Sequence, residues 1–151
     1  MSSIGEYFPS NIRAELAANN LKPGAVIRIP VDDTIPPKIK FLVLISKDST
    51  ELCFATIFIN SEINMNVLNT NELQNLQIEL KKEECPYLDN DSYADCSKLS
   101  ERNVDEVTKF IEKYPSAHKG QLSEAQFECV ISNIKTASTI TNKLRKKYGL
   151  I

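Results

Sequence analysis

The sequence has little of what metal and cofactor sites require. It contains one histidine, His118, in a predicted loop, and four cysteines, Cys53, Cys85, Cys96 and Cys129, with no CxxC pair. A zinc site needs cysteines two to four residues apart or a cluster of histidines. The spacing therefore excludes a zinc site of the usual kind, and we expect neither a metal nor a cofactor.

Long apolar runs are also missing. The longest uninterrupted apolar stretch is Phe41–Ile45, whereas a membrane-spanning helix needs about 20 apolar residues. Residues 1–6 lack both the basic and the apolar part of a secretion signal. We therefore expect a cytoplasmic protein with no membrane partner. An even number of cysteines allows two disulfides, but a chain without a secretion signal is expected to keep its thiols reduced.

Composition and charge are those of one globular domain. Apolar residues make up 42% of the 151 residues and charged residues 25%, which is typical of a folded chain long enough to bury a core. The net charge of −2 is unevenly distributed, because residues 1–97 carry −6 and residues 98–151 carry +4. The basic end is compatible with a polyanionic partner, or with cations placed at the negative end of a helix.

The spacing of apolar residues divides the chain into three parts. We predict a single domain, 1–151, that starts with a helical arm at 1–21. A strand-rich part, the predicted β-barrel, follows at 22–97, and a helical part at 98–151. No repeat of about 20 to 50 residues is visible, which excludes a solenoid or a propeller.

The first two parts contain one helix and several strands. The helix begins near Ser10 and stops before Pro23. The segment Asp32–Pro37 is predicted as a loop, and Asn60–Asn75 as a loop around one short extended piece. Runs rich in β-branched and apolar residues predict strands at Ala25–Val31, Ile39–Ser46, Leu52–Ile59, Leu76–Leu80 and Ser92–Cys96.

The last part carries two helix starts. Asn103 with Glu106 three residues later is typical of the first turn of a helix, and Ser123 with Gln126 matches the capping box. After the second start, one apolar stripe at helical spacing continues for about 25 residues, as far as Tyr148. We therefore predict two C-terminal helices, the second of them long.

Five or six short strands in succession favour a curled sheet. Such strands hide their edges by closing into a small barrel, and the helices would cover its open side. The predicted fold is therefore α+β: a small β-barrel with an N-terminal helix and C-terminal helices.

Five segments of the chain carry a resemblance to a known family. They are Leu21–Arg28, Phe41–Ser46, Ala55–Asn60, Leu88–Ser92 and Gly120–Gln126. In pattern and order they resemble the first three strands, the segment before the last strand, and the Gly-x-Leu-Ser/Thr turn before the C-terminal helix. The family is that of the MazF/PemK-type toxins of bacterial toxin–antitoxin systems.

The resemblance implies an SH3-like barrel of the PemK/MazF type that forms a homodimer, cleaves RNA without a metal and is held by an antitoxin protein. In the family, an Arg at the start of the second strand stabilises the phosphate and a Thr or Ser ends the third strand. By position these roles fall on Lys40, and on Asn60 with its neighbour Ser61. Glu62 is the nearest group that can act as general base for the ribose 2′-hydroxyl.

Three residues are candidates for RNA binding: Lys38, Lys40 and Tyr93. The two lysines flank Ile39 and share one face of a strand, where they can contact phosphates or keep a sheet edge from aggregating. Tyr93 can stack on a base or lie half-buried with its hydroxyl in water. The segment Asn60–Glu62 can likewise be an ordinary turn.

One departure from the family pattern leaves a second function open. Lys40-Phe41 stands where the family has Arg-Pro, and lysine lacks the planar fork with which arginine grips a phosphate. The alternative is a catalytically inactive PemK-like barrel that binds protein or nucleic acid and belongs to a phage or defence system. The acidic charge of residues 1–97 also argues against tight RNA binding.

Overall fold

The computed structural model of the protein describes residues 10–31 and 38–151, so the predicted loop Asp32–Pro37 lies outside the described residues. The helices are α1 (Ser10–Asn20), α2 (Asn71–Asn75), α3 (Val104–Lys113), α4 (Glu124–Thr136) and α5 (Asn142–Lys147). The strands are β1 (Ala25–Val31), β2 (Lys38–Lys47), β3 (Cys53–Asn60), β4 (Gln77–Leu80), β5 (Ser92–Asp95), β6 (Ser100–Asn103) and β7 (His118–Gln121).

The seven strands of the described residues form one antiparallel sheet. Its order is β4-β5-β3-β2-β1-β7, and β6 pairs with β3 beside β5. β3 is the central strand, because β2 lies along one edge while β5 and β6 share the other. The sheet curls into a half-barrel, so the prediction of an α+β fold with a curled sheet is confirmed.

Apolar clusters cover both faces of the sheet. The first cluster joins the sheet to α4 and to the chain that follows it, and the second joins it to α1 and α3. Members of the first are Val43, Ile57, Val130, Ile134 and Tyr148. Members of the second are Ala17, Ile27, Leu42, Leu44, Val107 and Ile111.

β2 passes between the two clusters. Its central residues, Leu42–Ile45, are all buried, as predicted for a strand covered on both faces. The register with β3 shifts between Leu44 and Ser46. Such a bulge bends the strand and increases its twist, which favours the curl of the sheet.

Two strands lie in the part predicted to be only helical. β6 and β7 have the sequences Ser-Glu-Arg-Asn and His-Lys-Gly-Gln, which show no apolar alternation. They belong to the sheet because β6 pairs with β3 and β7 pairs with β1. His118 therefore lies in a strand opposite Ile27, and the prediction of a loop there is wrong.

Two further predictions need correction. The segment Asn60–Asn75 ends in the short helix α2, which Thr70 caps by accepting a hydrogen bond from the amide of Leu73. Among the described residues, no strand lies between the end of β3 at Asn60 and α2. The long C-terminal stripe is divided between α4 and α5. Its break, Ala137–Thr141, contains hydroxyl residues that favour caps over helix interiors.

The predicted starts of α3 and α4 agree with the structure. Asn103 accepts a hydrogen bond from the amide of Glu106 at 2.9 Å, and α3 begins at the next residue. Ser123 and Gln126 form both bonds of the capping box that opens α4. These caps are local interactions, so the residue spacing alone predicts them.

The turn between β2 and β3 is organised by one carboxylate. Asp48 accepts hydrogen bonds from the amides of Leu52 at 3.0 Å and Cys53 at 3.3 Å, and from the hydroxyl of Thr50 at 2.8 Å. Burial disfavours the charged form, but these hydrogen bonds outweigh it and lower the pKa of Asp48. The charged carboxylate therefore stabilises the folded turn.

Because folding lowers the pKa of Asp48, we expect the protein to lose stability in acid. A carboxyl group whose pKa is lowered by folding stabilises the protein above its unfolded pKa of about 4, and the contribution disappears as the pH falls through the folded pKa. We expect urea unfolding at successive pH values to show this loss, and Asp48→Asn to reduce the pH dependence. Glu83→Gln, which removes an exposed carboxylate from another turn, is the control, and an equal effect of both substitutions would contradict the assignment to Asp48.

Two further observations concern membrane-spanning helices and the state of the cysteines. Within residues 10–31 and 38–151, no helix is both long and apolar enough to cross a membrane. All four cysteines are free thiols.

Candidate functional site

A row of side chains crosses one face of the sheet over the neighbouring strands β2, β3 and β5. Lys40 of β2 pairs with Ile29 of β1, and Asn60 of β3 pairs with Tyr93 of β5. Lys40 and Asn60 lie one position beyond the pair Phe41–Ile59, at the ends of their strands. Because paired residues project from the same face, the antiparallel register brings Lys40, Asn60 and Tyr93 side by side.

Lys40 and Asn60 are in direct contact. The Nζ atom of Lys40 donates a hydrogen bond to Oδ1 of Asn60 at 2.5 Å. Both residues line a cavity of about 350 Å³, which we call the Lys40 groove. Its other lining residues are Ser61, Glu62, Asn64, Val67, Leu68 and Asp95.

The ammonium group of Lys40 is only partly solvated. Burial lowers its pKa, and the neighbouring charge of Lys38 lowers it further, while Asp95 acts in the opposite direction. Its Nζ atom also lies 5.5 Å from the ring centroid of Phe58, a favourable cation–π distance. The groove thus holds one cation at a defined position, beside an amide and an aromatic ring.

Asp95 is a member of the groove that was not among the predicted catalytic residues. Its Oδ1 atom accepts hydrogen bonds from Nε2 of Gln77 at 2.7 Å and from the amide and hydroxyl of Ser97 at 3.0 and 2.5 Å. All three bonds reach the same oxygen, so Oδ2 remains to accept a proton or hydrogen bond from a ligand. The sequence places Asp95 near the end of the predicted strand Ser92–Cys96, but it does not show that this strand pairs with β3.

The remaining predicted catalytic residues, Ser61 and Glu62, directly follow β3. Both are exposed and both line the Lys40 groove. The structure therefore brings together all four residues predicted to be catalytic, although only Lys40 and Asn60 contact one another through a hydrogen bond. Their catalytic roles stay predictions.

A second cavity continues from the groove around the strand ends. It has a volume of about 200 Å³ and shares Lys40 and Ser61 with the Lys40 groove. It adds Arg28, an exposed residue of β1 whose guanidinium lies 5.2 Å from the ring centroid of Phe41. Sequence reasoning overlooked Arg28, because only the pairing of β1 with β2 brings it to a cavity that Lys40 also lines. Arg28 lies opposite Phe41, so its side chain projects from the other face of the sheet and reaches this cavity around the strand ends.

The predicted RNA-binding residues lie at different distances from the groove. Lys38 is exposed and close enough to Lys40 to lower its pKa, but it does not line the cavity. Tyr93 is half-buried beside Asn60 and is not a lining residue either. Of these residues, only Lys40 faces both cavities.

Other reactive groups are less suited to chemistry. Burial, with the nearby charge of Asp95, raises the pKa of the Cys96 thiol to about 12, so this thiol stays protonated and is a poor nucleophile. Burial and the cation of Lys22 lower the pKa of His118, which lies outside both cavities. Among the described residues, no group of three or more His, Cys, Asp or Glu side chains could hold a metal ion.

The basic C-terminal end serves the fold at two positions. Arg145 is buried and donates hydrogen bonds to the carbonyl oxygens of Ile134 and Ala137, at the end of α4. Lys147 donates to the carboxylate of Glu101 at 2.5 Å. For Arg145 this agrees with the interpretation that cations stabilise the negative end of a helix.

Comparison with known proteins adds no family. No protein-family model matches this sequence, and a search among curated proteins found no match either. The functional argument therefore depends on the geometry of the groove.

Proposed function

We propose that the protein is a metal-independent endoribonuclease that cleaves RNA by attack of the ribose 2′-hydroxyl at the Lys40 groove. The observation that carries the proposal is the fixed Lys40–Asn60 pair in a polar cavity that also holds the carboxylate of Asp95. A cation, a hydrogen-bonding amide and a carboxylate are the groups that this reaction needs. Arg28 supplies a second cation for the RNA backbone in the adjoining cavity.

The chemistry requires one proton acceptor and one proton donor. The 2′-oxygen attacks phosphorus while its proton passes to the carboxylate of Asp95 or Glu62. The bond from phosphorus to the 5′-oxygen breaks, and the ammonium of Lys40 gives that oxygen a proton. The products are a 2′,3′-cyclic phosphate and a 5′-hydroxyl. The lowered pKa of Lys40 favours proton donation nearer to neutral pH, and Asn60 holds the ammonium in position.

The biological role that we propose follows from the family resemblance. The chain would be the toxin of a toxin–antitoxin system in the cytoplasm, with a PemK-like barrel that forms a homodimer and an antitoxin protein that blocks the groove. The curled antiparallel sheet and its helices are compatible with this role. Expression in bacteria should arrest growth, and RNA isolated from these cells should carry 2′,3′-cyclic phosphate ends. Intact RNA and normal growth at high expression would contradict the proposal.

The identity of the general base gives a sharper prediction. Asp95 is fixed by three hydrogen bonds, whereas Glu62 is exposed at the rim of the groove. We expect Asp95→Asn, which keeps the shape of the side chain, to reduce RNA cleavage by about 10²-fold or more. The matched Glu62→Gln should reduce it by less than about tenfold. The measurement is single-turnover cleavage, with the thermal midpoint of each variant as a control for folding, and the reverse order of effects would assign the base to Glu62.

A second candidate function is RNA or protein binding without cleavage. The observation that favours it is that Lys40 donates to the neutral amide of Asn60, which cannot accept a proton near neutral pH. On this hypothesis the groove would retain a ligand and leave the phosphodiester bond intact. Binding of labelled RNA with no cleavage products after long incubation would favour it over the endoribonuclease.

A further inference from the structure

A larger cavity lies on the same face of the sheet, between the end of β1 and helix α3. Its volume is about 480 Å³. We call it the α3 cavity. Its lining residues are Ile29, Pro30, Val31, Glu101, Arg102, Asn103, Glu106, Val107 and Phe110.

The α3 cavity is next to the Lys40 groove. Arg102 lines the α3 cavity, and its guanidinium lies 5.5 Å from the ring centroid of Phe58. The ammonium of Lys40, in the other cavity, lies 5.5 Å from the same centroid. Each cavity therefore contributes one cation that lies close to the same aromatic ring. A chain of nucleotides with a phosphate at Lys40 could therefore extend past Phe58 toward Arg102.

The walls of the α3 cavity are apolar and its rim is polar. Val31, Val107 and Phe110 provide a surface for a flat, apolar group. Two polar side chains stand at the first turn of α3. Asn103 uses Oδ1 to cap the helix, which leaves its Nδ2 group to donate elsewhere, and Glu106 presents two acceptor oxygens. A planar ligand with N–H donors along one edge fits this combination.

We propose that the α3 cavity binds a nucleobase of the RNA whose phosphate lies at Lys40, and that Glu106 favours guanine. The Watson–Crick edge of guanine presents two neighbouring N–H donors, which match the two oxygens of a carboxylate. The base would lie against Phe110, with the guanidinium of Arg102 at its side. This inference rests on the proposed function, because it assumes that RNA is the ligand of the groove.

The direct test is methyl NMR of the full-length protein with the four nucleoside monophosphates as probes. We expect GMP to shift the methyl resonances of Val31 and Val107, and ribose 5-phosphate, which lacks the base, to leave them in place. The expected order is GMP before AMP, CMP and UMP. Absence of any shift with all four nucleotides, or an equal shift with ribose 5-phosphate, would overturn the inference.

Two variants of α3 make the test specific. Glu106→Gln preserves size but removes one acceptor, and we expect it to weaken GMP binding by about tenfold. Lys109→Ala is the matched control, because Lys109 is exposed, pairs with Asp105 at 3.0 Å and does not line the cavity. Equal affinity for GMP in Glu106→Gln and the unmodified protein would overturn the role of Glu106.

The outcome is separable from that of the proposed function. Lys40-dependent cleavage of RNA without nucleotide binding at Val107 would refute the α3 cavity and leave the endoribonuclease intact. Nucleotide binding at Val107 without RNA cleavage would support the base site and refute the endoribonuclease.

Discussion

Replacing Lys40 with methionine should reduce RNA cleavage by roughly 10²–10³-fold. The substitution keeps the length of the side chain and removes both the charge that stabilises the phosphate and the proton that the leaving oxygen needs. Lys38→Met is the matched control, because Lys38 carries the same charge on the same strand but does not line the Lys40 groove. We expect that control to lose less than about tenfold. The measurement is single-turnover cleavage of a labelled RNA.

The result also tests whether the Lys40 groove is the catalytic site. If the unmodified protein cleaves RNA and Lys40→Met cleaves it equally fast, the Lys40 groove is not the catalytic site. Lys40→Arg adds information, since arginine restores the charge and provides a planar fork. An increase in phosphate affinity together with a loss of cleavage in Lys40→Arg would indicate that Lys40 acts as the proton donor.

Replacing Arg145 with methionine should destabilise the protein by about 3 kcal/mol, because buried carbonyl groups would lose a charged donor. Arg145 is 7% exposed and donates from Nε to the carbonyl of Ile134 at 3.0 Å and from a second nitrogen to the carbonyl of Ala137. For a domain of this size, the loss corresponds to a decrease in the thermal midpoint of roughly 6–12 °C. Urea unfolding and thermal denaturation measure the effect.

The control for Arg145 is its neighbour in sequence. Lys146→Met removes an exposed cation from the same helix, and we expect it to change stability by less than about 0.5 kcal/mol. Similar stabilities of the two variants would show that Arg145 contributes only as one charge among several. A large effect confined to Arg145 would show that its hydrogen bonds to the C-terminal carbonyl groups of α4 stabilise the fold.

Much of the secondary structure follows from local patterns. β1, β2 and β3 are apolar and β-branched, and the Ser123–Gln126 capping box opens α4 through bonds between residues three apart. The elements that the sequence did not predict also have a physical explanation. β6 and β7 show no apolar alternation in sequence, so the pattern does not predict them. They are strands because their backbones pair with β3 and β1. A stripe that continues across Ala137–Thr141 cannot reveal that hydroxyl residues end one helix and start another.

The site was only partly predictable for the same reason. Lys40 and Asn60 could be selected from a family resemblance and from their positions at strand ends. Asp95 and Arg28 could not, because only the pairing of β5 with β3 and of β1 with β2 brings them to the cavities that Lys40 lines. Register depends on packing of the whole sheet, which a single sequence does not display.

By itself, the sequence determined the helix starts and the buried strands of this protein, and it showed no metal-binding motif. Only the tertiary structure decided that Lys40, Asn60 and Asp95 line one cavity and that a second cavity adjoins it across Phe58. The physical reason is the distance along the chain over which each kind of interaction acts. Caps and apolar periods act over a few residues, whereas strand pairing and curvature join residues tens of positions apart.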